Sequence, residues 1–125
     1  MNTPSWSVEL YETENGQVPV LDFIRGLPAK ERAKVFRDLE LLAELFPFWD
    51  REHIKKLEDE ELWELRIKFS SNQHRILYFT AHGSRLVAVH GFTKKDWGIS
   101  PRDLKIARKR KTDWEQRFAK DGGKQ

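Results

Sequence analysis

The 125-residue chain contains no cysteine, which excludes a disulfide framework and a thiolate zinc site and is compatible with a reducing compartment. No apolar run approaches the roughly 20 residues of a membrane-spanning helix. The opening stretch MNTPSWSVELYETENG lacks the charged-then-apolar build of a secretory signal, so the expectation is a cytoplasmic chain with no membrane attachment. Nucleotide and hydrolase signatures are missing too: there is no GxGxxG, no phosphate-binding loop ending in Gly-Lys-Ser/Thr, no HExxH and no GxSxG. The four histidines, His53, His74, His82 and His90, lack metal-ligand spacing. The acidic run Glu58 to Glu61 has no calcium-loop pattern and reads as a solvated turn. No metal and no cofactor are therefore expected. Internal repeats and low-complexity linkers are also lacking.

What is present fits one domain spanning residues 1–125, long enough to bury a core without covalent or metal staples, with a frayed tail from Lys120 to Gln125. The net charge of +3 conceals an asymmetry: residues 1–62 carry 8 Lys/Arg against 14 Asp/Glu, and residues 63–125 carry 15 against 6. A basic half of that strength suits a polyanion or an acidic protein partner, and suits equally well a charged surface that merely keeps a small protein soluble.

Along the chain, Trp6, Val8 and Leu10 alternate with polar residues as in an amphipathic first strand, and Asn15-Gly16 marks a turn. Val18 to Leu27 carries apolar residues at helical spacing, closed near Gly26. A second helix follows Pro28, with Ala33, Phe36, Leu39, Ala43 and Phe46 as its apolar stripe and Pro47 as its stop. The two helices should form a hairpin covering one face of a sheet, with Trp49 buried against it. His53 to Leu57 reads either as a short strand or as an extended approach to the central meander. Near the C-terminal end, Ser100-Pro101-Arg102-Asp103 combines an N-cap oxygen, a proline at the first helical position and a carboxylate three residues on. A last helix should start there and dock through Leu104, Ala107, Trp114 and Phe118.

Between these lies LWELRIKFSSNQHRILYFTAHGSRLVAVHGFTKK, Leu62 to Lys95. Its first run alternates Trp63, Leu65, Ile67 and Phe69 with Glu64, Arg66 and Lys68, the period of a half-buried strand. Arg75 to Thr80 and Arg85 to Phe92 also have strand propensity, which makes the stretch an antiparallel meander. Arg66, Lys68, Arg75, Lys94 and Lys95 can converge on one side of it, where guanidinium and ammonium groups would hold an anion such as phosphate. The plainer alternative for each is an ordinary solvent-face cation with a local acidic partner, Glu64 or Asp96.

Three blocks in order, Leu62-Trp63-Glu64-Leu65-Arg66, His74-Arg75-Ile76-Leu77-Tyr78-Phe79 and His90-Gly91-Phe92-Thr93-Lys94-Lys95, followed by Ser100-Pro101 and Ala107, resemble the phage-derived Gp49-like/HigB-like branch of the RelE/ParE toxin superfamily. The resemblance runs from about Trp6 to Lys111. It implies a RelE-like α+β fold: an N-terminal strand and helical hairpin packed on a mainly antiparallel twisted sheet, with a C-terminal helix. It further implies a toxin of a type II toxin–antitoxin system, acting as a ribosome-dependent, metal-independent endoribonuclease on mRNA. Its partners would be the ribosome, mRNA and a helix-turn-helix antitoxin, the last in a toxin–antitoxin hetero-oligomer. Carried over by position, Arg66, Arg75, Lys94 and Lys95 are the catalytic candidates. His90 and His74 are further proton-transfer candidates, although the plainer reading of His90 on a strand is a packed or solvated histidine. Lys68, His74, Lys105 and Arg108 are candidates for RNA contact, and Lys105 to Lys111 reads equally as a solvated face. The chain departs from the pattern at Ile99-Ser100-Pro101, where related toxins place a tyrosine or another lysine. Two other functions stay open: a ParE-like gyrase inhibitor, and a non-catalytic nucleic-acid- or protein-binding module of the same fold.

Overall fold

The computed structural model describes residues 6–94 and 98–119; the expected frayed tail, Lys95, and the Asp96-Trp97 part of the loop after the meander lie outside the described residues. Strand β1 (Ser7–Leu10) is followed by helices α1 (Pro19–Arg25) and α2 (Ala29–Leu45). Strands β2 (Ile54–Leu57), β3 (Leu62–Phe69), β4 (Asn72–Ala81) and β5 (Arg85–Lys94) come next, and helix α3 (Pro101–Trp114) runs into a π-helical turn, Glu115–Ala119. The five strands form one sheet in the order β1-β5-β4-β3-β2. Every pairing is antiparallel except β1 with β5, which is parallel. This is the α+β arrangement implied by the sequence, with β2 to β5 as an antiparallel meander.

Successive residues of a strand face opposite ways, so each strand feeds two layers. On one face Leu65, Ile67, Ile76, Tyr78, Leu86 and Ala88 meet Val20 and Ile24 of α1 and Val35, Leu39 and Leu42 of α2. On the other, Leu62, Leu77, Phe79, Val87 and Val89 meet Ala107 and Trp114 of α3. Central strand β4 is covered from both sides and is buried continuously from His74 to Phe79. Gly91 on β5 allows α1 to approach closely, since a Cβ at that position would lie 2.6 Å from Cδ2 of Phe23.

Three packing expectations need correction. Helix α2 docks through Val35, Asp38, Leu39, Leu42 and Phe46, whereas Ala33 is exposed and Phe36 is 42% exposed. Two periodic stripes compete on that helix, and the one containing Val35 and Leu42 buries more area than one relying on Ala33 and Ala43. Phe118 is 47% exposed. After Trp114 the backbone changes to i→i+5 bonding, which alters the angular step and takes Phe118 off the docking line. Trp49 is only partly buried against the helical layer and stacks on the His53 ring at 4.3 Å.

The end of α3 is tied to the first strand and the residue after it. Tyr11 donates to Asp113 Oδ2 at 2.7 Å, Trp114 Nε1 donates to Glu9 Oε2 at 2.7 Å, and Arg117 pairs with Asp113 at 2.8 Å. At its start, the backbone N–H of Asp103 donates to Ser100 Oγ at 3.1 Å, the cap that the sequence predicts. No helix among the described residues is long and apolar enough to cross a membrane.

Candidate active site

Directly opposed residues in an antiparallel pair share a face. The register Arg66↔Arg75 and Lys68↔Gln73 between β3 and β4, with Gln73↔Lys94 between β4 and β5, therefore gathers four cations on one side. This is the face that α3 covers only in part. The uncovered end opens as a cleft of about 1010 Å³ with Arg66, Lys68, Arg75 and Lys94 in its lining, and Gly98, Ile99 and Leu104 form a wall near the start of α3. Arg51, and Lys55 of β2, also line it. The sequence pattern did not mark these two; for Lys55 the reason is that its face depends on how β2 pairs with β3, and the register Lys55↔Glu64 puts it on the cationic face.

The cations differ in environment. Arg75 is 7% exposed; Nη2 donates to Gln73 Oε1 at 2.5 Å, while Nε–H is buried without a hydrogen-bond partner. Burial lowers its pKa, the Glu64 carboxylate opposes that shift, and neighbouring Arg66 adds to it. Arg66 donates from Nε to Glu64 Oε1 at 2.8 Å and from Nη1 to the Arg51 carbonyl at 3.2 Å. Lys94 is partly buried, and desolvation together with the positive charge of Arg75, Arg66 and Lys55 lowers its pKa against the counter-effect of Glu64. Lys68 is exposed at the rim. Among the described residues, no group of three or more His, Cys, Asp or Glu side chains is arranged to hold a metal ion.

The other candidates lie elsewhere. His74 is 1% exposed and belongs to the opposite face of the sheet, with Nε2 2.7 Å from Glu31 Oε1 of α2 and Nδ1 2.9 Å from Thr93 Oγ1. His90 faces α3, its Nε2 2.7 Å from Asp103 Oδ1 and its Nδ1 3.4 Å from Arg110 Nη1. A neutral ring with the proton on Nε2 satisfies both neighbours. Burial, then Arg110 and Arg102, depress the His90 pKa against the pull of Asp103. Neither ring lines the cleft. Lys105 is exposed on α3, and Arg108 is engaged with Glu60 Oε1 at 2.6 Å, tying the acidic turn to the helix; both stand outside the lining.

Fold and cleft together define a class: a small α+β domain that presents a partly desolvated cationic cleft on one sheet face, suited to an anionic ligand. The model of the phage-derived Gp49-like protein family matches residues 22–112, a span from α1 to near the end of α3. The chain belongs to this family, one of RelE/HigB-like toxins of toxin–antitoxin systems. No curated protein matches it.

Proposed function

We propose that this toxin is a ribosome-dependent endoribonuclease that cuts translated mRNA in the cytoplasm and is neutralised by a helix-turn-helix antitoxin covering its cationic face. The observation that carries the reading is the convergence of Arg66, Lys68, Arg75 and Lys94 on one cleft. In such a reaction the ribose 2′-hydroxyl loses its proton and attacks the neighbouring phosphorus. The bond to the 5′-oxygen breaks and that oxygen takes up a proton from a protonated side chain of the cleft or from water, leaving a 2′,3′-cyclic phosphate and a 5′-hydroxyl. Negative charge grows on the phosphoryl oxygens in the transition state, where Arg66 and Arg75 are available as donors in a partly desolvated cleft. Lys94, held below the usual lysine range by desolvation and the neighbouring cations, is a candidate to take the hydroxyl proton. Ile99 occupies the wall position where related toxins have an acid/base side chain, which puts more of the chemistry on the cations.

Purified toxin added to a translating extract should produce codon-phased cuts in mRNA, mapped at their 5′ ends. Arg75→Ala should reduce the cutting rate by about 100-fold or more, the scale expected when a preorganised transition-state donor is lost. Intact mRNA at toxin concentrations matching the ribosomes would sink the ribonuclease reading, and growth arrest with poisoned gyrase would replace it.

A further inference from the structure

The most buried charged group at the cationic cleft is an acid. Glu64 is 2% exposed and lines the cleft from the middle of the cation cluster. On β3 it stands two residues before Arg66, opposite Lys55 on one side and Leu77 on the other. Its two oxygens address two different guanidinium groups: Oε1 accepts from Arg66 Nε at 2.8 Å, and Oε2 lies 3.8 Å from Arg75 Nε. Arg66 and Arg75 are direct cross-strand partners, and like charges directly opposed on a sheet repel one another. A buried carboxylate between them offsets that repulsion. Gln73 holds the far side of Arg75 and the Arg51 carbonyl holds the far side of Arg66. Each guanidinium is thus steadied from two directions, with N–H groups left over for a ligand.

We propose that Glu64 is a positioning residue of this cleft: its carboxylate holds Arg66 and Arg75 side by side as a paired phosphate clamp, gaining geometry at the expense of cationic attraction. The proposal rests on the ribonuclease reading for the identity of the ligand, and on the ion-pair geometry alone for the role of Glu64. It makes binding and turnover move in opposite directions. Removing the carboxylate raises the charge of the cleft and strengthens attraction to an RNA backbone. It also frees both guanidinium groups to splay, and loss of alignment lowers the rate.

Glu64→Gln preserves shape and removes the charge. Its binding to a single-stranded oligonucleotide blocked by 2′-deoxyribose, followed by fluorescence anisotropy at low salt, should tighten about threefold to tenfold, with the difference fading at high salt. Its cleavage rate at saturating translating ribosomes should fall about tenfold or more. Exchange of the Arg66 and Arg75 Nε–H protons, read by nitrogen NMR, should speed up in the variant. Glu64→Asp, which keeps the charge one methylene further back, should fall between wild type and Glu64→Gln in all three readouts, and it replaces Glu64→Gln if that variant does not fold. Weaker binding in parallel with slower cleavage would overturn the proposal, as would lost cleavage with unchanged arginine exchange, which would mark Glu64 as a base instead. Wild-type protein that leaves mRNA intact refutes the ribonuclease reading alone, because affinity for the blocked strand and arginine exchange report on Glu64 without any cleavage.

Discussion

His90 and Arg75 lie on neighbouring strands and answer to different surroundings. Arg75 faces the cleft, whereas His90 is enclosed by Asp103 and Arg110 of α3. Because its folded-state pKa is depressed, the unfolded chain binds the His90 proton more readily. The stability it contributes is therefore complete above the ordinary value of 6.5 and is lost as pH falls from there through the depressed folded value. The midpoint of thermal unfolding should drop across that acid window, and His90→Gln should flatten that part of the curve. An unchanged slope in the variant would remove His90 as the cause. At this scale the sequence was half legible. Alternation along β3 placed Arg66 and Lys68 on the polar side, but His74 meets Glu31 of α2 and Thr93 of β5 and His90 meets residues of α3, and no local pattern announces contacts 13 to 43 residues apart.

At the scale of elements, the contact of α1 with β5 sets how the helical layer seats. It depends on the absence of a side chain at Gly91, where a Cβ would be 2.6 Å from Phe23 Cδ2 and 3.0 Å from Cγ. Gly91→Ala should destabilise the fold by about 1–3 kcal/mol, the usual cost of overpacking. Urea unfolding would show this as a lower midpoint with unchanged slope; wild-type stability would mean that Phe23 moves aside freely. The elements themselves were well marked in the chain. The Ser100-Pro101-Asp103 start of α3 and the period-two run of β3 stand where local chemistry places them, because caps and strand alternation are short-range effects. The docking face of α2 was not, because periodicity offered two stripes and only the tertiary partner chooses between them.

For the whole molecule, the charge contrast between halves of the chain was visible early and was a blunt guide. Arg51 and Lys55 come from the acidic half and still line the cleft, while Lys105 and Arg108 come from the basic half and do not. The sheet register decides which cations act together. Four of them, Arg66, Lys68, Arg75 and Lys94, should set the salt dependence of single-stranded RNA binding, with a slope of log affinity against log salt of about −2 to −3. Lys68→Ala should make that slope shallower by roughly 0.7 while leaving the fold intact. Anisotropy titrations across a salt series would measure both, and a slope near zero would show that the backbone phosphates are not what this face binds.

The bonds that tie α3 to Glu9 and Tyr11 bring the two ends of the described chain together. All the described cations of the cleft precede α3 in the chain, whereas Ile99 and Leu104 of the wall, and the Asp113 and Trp114 anchors, come last. The cations and the wall of the cleft thus come from separate parts of the chain, and the anchors that hold α3 against the first strand join residues 102 and 105 positions apart.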